Sequence, residues 1–155
     1  MLLLWTDNLS VGIDQFDDDH KRMIAIINEL HCAIQAAGVK GAIDKEEIEI
    51  VLHRLQNYIR YHCDREELFM AKTGYPEFES HRAEHLRLEA AIADMAGRFR
   101  NSTDPEHAAE IMHFIFDWVT NHIFVLDRQF SSHLRANGLF EDLADELEPA
   151  GAFSQ

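Results

Sequence analysis

Apolar residues recur along this chain at three- and four-residue intervals in four separate stretches, and no stretch alternates at period two as a half-buried strand does. That spacing predicts an all-α chain. A first helix is expected from about Asp18 to Ala37, with His20, Ile24, Ile27, His31 and Ile34 on one stripe and Gly38 to Gly41 ending it. Asp44 offers an N-cap carboxylate, with Glu47 three residues on. The second helix then runs through Ile48, Leu52, Leu55 and Ile59 to His62, Glu66 and Phe69, and Thr73-Gly74-Tyr75-Pro76 stops it. The third should begin near Glu77 to Ser80 and carry His81, His85, Leu88, Ile92, Met95 and Phe99 on one face, with Asn101-Ser102-Thr103 as the break. Asp104 as N-cap and Pro105 at the first helical position open the fourth. Its stripe is Ile111, Ile115, Trp118, Val119, His122 and Leu126, and it should fade near His133.

Connections of a few residues between four helices favour antiparallel neighbours, so the expected architecture is an up-down-up-down antiparallel four-helix bundle over about 17–133. Residues 1–16 read as an N-terminal arm, and 137–155 as an acidic tail. Leu139, Phe140, Leu143 and Leu147 suit that tail to a short helix capping a bundle end. The whole of 1–155 is expected to form a single domain, with no fused output domain.

Charge narrows the partners. With 14 Lys plus Arg against 28 Asp plus Glu, the net charge of −14 repels nucleic acid and anionic membrane surfaces. The apolar start Met1-Leu2-Leu3-Leu4-Trp5 lacks a basic flank and is too short for a signal-peptide core, and no later run is apolar enough to span a bilayer. A cytoplasmic protein is expected, with Cys32 and Cys63 as free thiols.

The candidate chemistry lies in the 10 histidines. One His on an apolar stripe is ordinarily a hydrogen-bonded core residue, and one HxxxH pair is weak evidence for metal. Here every helix contributes to one level: His20 from the first, His62 and Glu66 from the second, His81 and His85 from the third, His122 and Asp127 from the fourth. Five buried imidazoles and two buried carboxylates carry a heavy desolvation cost unless a cation neutralises them. His53 and His113 precede His62 and His122 by two and a half turns and should face away. His31 sits about three turns from His20 as a core or far-end residue, and His107 and His133 should be exposed near helix ends. The five-residue step from His122 to Asp127 fits a regular helix poorly and predicts local widening.

Several motifs, covering nearly the whole bundle, resemble the hemerythrin family. They are Trp5 with Ser10-Val11-Gly12-Ile13 and Phe16-Asp17-Asp18-Asp19-His20, then His62-Cys63-Asp64-Arg65-Glu66-Glu67, then Gly74-Tyr75-Pro76 before His81-Arg82-Ala83-Glu84-His85. The last is Trp118-Val119-Thr120-Asn121-His122-Ile123-Phe124-Val125-Leu126-Asp127. The resemblance implies two non-haem iron ions, one held by His81, His85 and His122 and the other by His20 and His62, bridged by Glu66, Asp127 and an oxo or hydroxo group. The ion with two imidazoles is then left one ligand short, which is where dioxygen binds in that reading. The matching pocket positions are Met23, Cys63, Trp118, Val119 and Ile123.

Cys63 departs from the family, which usually carries phenylalanine there, and two readings compete: a small buried residue that behaves as a hydrophobe, or a redox-active thiol. Trp5, Tyr58 and Tyr61 read as structural. The expected function is reversible dioxygen binding by a non-enzymatic carrier, store or delivery protein. The alternatives are a di-iron redox enzyme or a sensor handling peroxide or nitric oxide. Iron rests on the resemblance, since imidazole-rich sites also accept zinc or manganese.

Overall fold

The computed structural model describes residues 3–40, 44–101 and 105–139. It is a helix bundle: α1 (Asp14–Lys40), α2 (Lys45–Thr73), α3 (Phe78–Asn101) and α4 (Pro105–His122). From α4 the chain continues through a π-helical segment, Ile123–Asp127, into α5 (Arg128–Ala136), so these three make one rod. Contacts run α1 to α2, α2 to α3, α3 to α4 and α4 back to α1, which closes a square of neighbours. Ion pairs fix the antiparallel register: Arg54 with Glu29 at 2.6 Å, Arg60 with Glu89 at 2.7 Å and Arg82 with Glu67 at 3.3 Å. Among the described residues there is no strand, and no helix is long and apolar enough to cross a membrane.

The caps on α2 are those its residues dictate. Asp44 accepts the Glu47 backbone N–H at 3.1 Å. At the far end Gly74 takes φ +60°, and the Tyr75 N–H returns to the Met70 carbonyl at 3.0 Å, closing the last turn on a left-handed residue. The expected Asp104 cap, the Ser102-Thr103 break, Gly41, and the tail residues Phe140, Leu143 and Leu147 lie outside the described residues.

Three boundaries differ from expectation. Helix α1 begins at Asp14 rather than about Asp18, because the Asp17 carboxylate reaches back to the Val11 N–H at 2.8 Å and to the Ser10 hydroxyl at 2.5 Å. It also runs through Gly38 to Lys40; a lone glycine weakens a helix without ending it. The last helix continues to Ala136, and His133 is half-buried rather than exposed, its ring 5.1 Å from that of Tyr75.

The first residues are bolted on by polar contacts. The Leu3 backbone exchanges two hydrogen bonds with the Asn28 amide, at 3.0 and 2.7 Å. Lys21 lies 5.3 Å over the Trp5 ring. From α5, Arg128 donates to the Asn8 carbonyl and Arg135 to the Val11 carbonyl. At Gly12 φ is +76°, a conformation that strains any residue with a Cβ, and an added Cβ would also have to displace the Arg135 guanidinium 2.2 Å away.

The core divides into two levels. Away from the arm it is hydrocarbon: Ile27, Leu30, Ile48, Leu55, Ile59, Leu88, Ile92, Phe99 and Ile115 are all fully or nearly fully buried. Toward the arm and α5, a buried polar set interrupts it, with Phe16, Phe69 and Phe130 buried beside that set.

Candidate metal centre

The seven residues that the sequence singles out converge in this polar level, and all are buried: His20, Glu66, His85 and Asp127 to 0 %, His81 to 1 %, His62 to 2 % and His122 to 5 % exposure. Helical spacing delivers them. His62 and Glu66 stand one turn apart on α2, as do His81 and His85 on α3, and each pair projects from one face. Asp127 follows His122 by five residues, and the expected widening is present as the π-helical segment between them. It holds the Asp127 carboxylate on the side of the rod that carries His122, with Oδ1 at 3.0 Å from His122 Nε2.

Two groups of ligand atoms form, each gathered within 4.8 Å: Glu66, His81, His85 and His122 in one, and His20, His62, Glu66 and Asp127 in the other. In the first, the Nε2 atoms of His81 and His85 both stand 3.0 Å from that of His122. The two carboxylates reach across. Glu66 Oε2 lies 3.5 Å from His81, 3.4 Å from His85 and 3.6 Å from His62, while Asp127 Oδ1 meets His81 at 3.2 Å and its Oδ2 meets His20 at 3.2 Å.

Lone-pair atoms crowd here without satisfying one another. Both nitrogens of His20, both oxygens of Glu66 and both of Asp127 are buried with no hydrogen-bond partner. Orphaned buried polar atoms cost about 1–3 kcal/mol each, and a set of them aimed at common points is what a bound cation satisfies. The donor set, imidazole nitrogens with carboxylate oxygens, suits a first-row transition metal.

The protein side chains offset part of this cost among themselves. Burial lowers the His62 pKa, but Glu66, Asp19 and Asp127 carry it up to about 8. Burial also opposes protonation of His81, yet the Asp127 and Glu66 carboxylates, 3.2 and 3.5 Å from its Nε2, raise it to about 10. Burial and the neighbouring Asp127 work to raise Glu66, and its three imidazole neighbours hold it below the ordinary range. Asp127 lies well below its ordinary range: His122, His20 and His81 outweigh its burial. His122 is lowered by burial, with His85 and His81 adding to the effect. The raised His62 and His81 thus stand against the lowered Glu66 and Asp127, and a metal ion bound among them would compete with protons for the imidazoles.

Sequence reasoning missed the groups that orient the imidazoles. Asp19, 2 % exposed, accepts the Tyr58 hydroxyl at 3.0 Å and Arg65 at 2.9 Å, and its Oδ2 lies 3.7 Å from His62 Nδ1. Glu67 meets His85 Nδ1 at 3.0 Å and is itself held by Arg82. A carboxylate on the outer nitrogen fixes an imidazole's tautomer and raises its donor strength. Tyr58 is thus structural through Asp19, and Tyr61 receives Arg65 at 3.2 Å. Also unforeseen is an aromatic floor: Phe16 packs on Phe69, Phe130 and the edge of His62, with centroids 6.0–6.5 Å apart.

Of the pocket positions, Met23, Cys63, Val119 and Ile123 are buried to 2 % exposure or less. Trp118 is placed differently: half-buried, it stacks on His122 at 4.0 Å and 19° and borders an outer groove. Burial and the nearby Glu66 and Asp127 push the Cys63 thiol well up, so it stays protonated. His53 and His113 face solvent as expected, while His31 and His107 are half-buried.

Comparison with known proteins gives a consistent result. The Hemerythrin HHE cation binding domain profile matches residues 11–134. The chain is 32% identical over 136 residues to the bacteriohemerythrin of Methylococcus capsulatus, covering 87% of this chain and 98% of the relative. It is also 32% identical over 139 residues to that of Stenotrophomonas maltophilia, covering 88% and 84%. A crystal structure of wild-type hemerythrin superposes with a TM-score of 0.73 at 28% identity, covering 85% of this chain and 97% of that one.

Proposed function

This chain belongs to the hemerythrin family, and from that premise we propose that its metal centre is a non-haem iron pair that binds dioxygen reversibly, without catalytic turnover. His81, His85 and His122 hold one ion, His20 and His62 the other, and Glu66 and Asp127 bridge them together with an oxo or hydroxo group. The observation that carries this reading is the three-to-two division of imidazoles, with Glu66 common to both groups and Asp127 reaching from His20 to His81 and His122. With the bridges counted on both ions, the division leaves one ion a ligand short, and that is the position for a small diatomic ligand. When bound, the iron pair supplies two electrons to dioxygen and recovers them on release.

The protein's part is to orient and to exclude. Glu67 fixes the outer nitrogen of His85 at 3.0 Å, and the Asp19 carboxylate stands 3.7 Å from that of His62. At the pocket positions that the family resemblance puts beside the open site, Met23, Val119 and Ile123 are buried hydrocarbon and Cys63 is a buried thiol kept protonated. A dry surround of that kind withholds water and protons from the reduced ligand. It favours return of dioxygen over escape of peroxide, and it favours the carrier reading over a thiol-assisted redox enzyme.

An oxygen electrode tests the proposal. Anaerobically reduced, iron-loaded chain should take up one dioxygen per two irons and release it under vacuum through repeated cycles. Uptake that is not returned, with peroxide appearing in solution, would move the site to redox chemistry.

A further inference from the structure

A groove of about 480 Å³ lies on the outer face of the bundle, where α3 and α4 meet, on the solvent side of His122. Its apolar walls are Phe114, Trp118, Val125 and Leu126. Its polar groups are the carboxylates of Glu84 and Asp117 and the amide of Asn121. No lysine or arginine lines it, and the Glu84 carboxylate is paired with Arg87. The volume falls within the range of about 300–1,000 Å³ common for small-molecule sites. An aromatic wall flanked by carboxylates, on a chain of net charge −14, selects for cations with a flat apolar body.

The groove also connects to the metal centre by direct contact. The Trp118 indole is half-exposed and stacks on the His122 imidazole, centroids 4.0 Å apart and planes 19° apart. His122 Nε2 in turn faces the ligand cluster, 3.0 Å from His81 and His85. No other aromatic ring among the described residues stacks face to face on one of the clustered imidazoles; Phe16 meets His62 edge-on.

We propose that this groove binds a planar aromatic cation against Trp118, its charge toward Asp117 and Glu84, and that an electron enters the metal centre there through the Trp118–His122 stack. The entry step rests on the di-iron reading above; the binding step does not. A reduced bipyridinium radical cation gives up one electron and becomes the dication, and one ferric ion becomes ferrous. No bond or proton changes hands. A carrier whose iron oxidises at intervals needs such a route back to the ferrous state.

Calorimetric titration of the zinc-loaded full chain with methyl viologen dication reads binding without any redox event. Saturable binding at one site per chain is expected, weakened about tenfold by Trp118→Leu and about threefold by Asp117→Asn, and unchanged by Trp5→Leu. Asp117 is exposed, so Asp117→Asn keeps the fold and serves where Trp118→Leu does not. Absence of saturable binding, or equal affinity in Asp117→Asn and the parent, overturns the site. On the iron-loaded ferric protein, anaerobic mixing with the viologen radical should give reduction that saturates with donor and slows in Trp118→Leu. An unchanged rate there removes the electron-entry step. A chain that fails to return dioxygen but still binds viologen would defeat the carrier reading and leave the groove standing.

Discussion

Replacing Asp19 by asparagine removes one charge from the interior and keeps the shape, so it isolates what that carboxylate does. Asp19 is 2 % exposed and joins three helical positions: it accepts the Tyr58 hydroxyl at 3.0 Å and Arg65 at 2.9 Å, and it stands 3.7 Å from His62 Nδ1. The Asn oxygen still accepts from Tyr58, but the amide NH2 then faces the Arg65 guanidinium, donor against donor. Arg65 is 11 % exposed, so its charge is left largely uncompensated inside the protein. Breaking a buried pair by removing one partner costs about 3–5 kcal/mol, and the residual exposure of Arg65 places this one at the lower end, about 3 kcal/mol. At about 2–4 °C per kcal/mol for a domain of this size, Tm should fall by about 6–12 °C. His62 loses the group that orients it, so metal affinity should fall by about 10- to 100-fold. Thermal unfolding of the metal-free variant and a chelator competition on the loaded one read the two effects separately. A Tm within about 1 °C of the parent, with metal affinity unchanged, would refute the view that Asp19 holds this side of the site.

Further consequences are open to simple assays. In the metal-free chain His62 and His81 titrate above their ordinary 6.5, at about 8 and about 10, so the stability they contribute is complete below pH 6.5 and lost as pH rises through those values. The urea midpoint of metal-free protein should therefore drop between pH 6.5 and 10, and metal loading should flatten that drop; a flat metal-free profile contradicts the charge assignment. Deleting Phe124 converts the widened turn to a regular helix with the carboxylate four residues after His122, still on its face, so the variant should retain both metal ions by elemental analysis while Asp127→Ala should not. A thiol reagent should modify one of the two cysteines quickly, exposed Cys32, and reach buried, protonated Cys63 only on unfolding. Two fast-reacting thiols would show that the pocket is open to solvent.

The cluster was legible because helical periodicity is local: His62 with Glu66 and His81 with His85 need only a turn of regular helix to point together. Asp127 was legible for the opposite reason, since its five-residue offset from His122 made sense only if the helix widened, and it does. What the sequence concealed depends on distant pairing. Asp19 sits beside a ligand candidate in a run of aspartates that reads as solvated surface, and its partner Arg65 is 46 residues away. Glu67 is likewise one of two adjacent glutamates, and only the approach of α3 shows that it serves His85. The early start of α1 depends on Asp17 bonding backward to Val11, and the anchoring of the arm on Arg128 and Arg135 donating to backbone carbonyls, which no periodicity reports. Its place in a motif makes Trp118 a pocket wall; its stacking on His122 and its open outer side follow from the rotation of α4.

An optical titration of anaerobically reduced, iron-loaded chain tests most directly the proposed reversible binding of dioxygen at two irons held by five imidazoles and two carboxylates. With iron quantified in the same sample, two irons per chain should give a charge-transfer band that appears with dioxygen and vanishes when the gas is removed. A band that persists after removal, or an iron content of one per chain, would contradict the account.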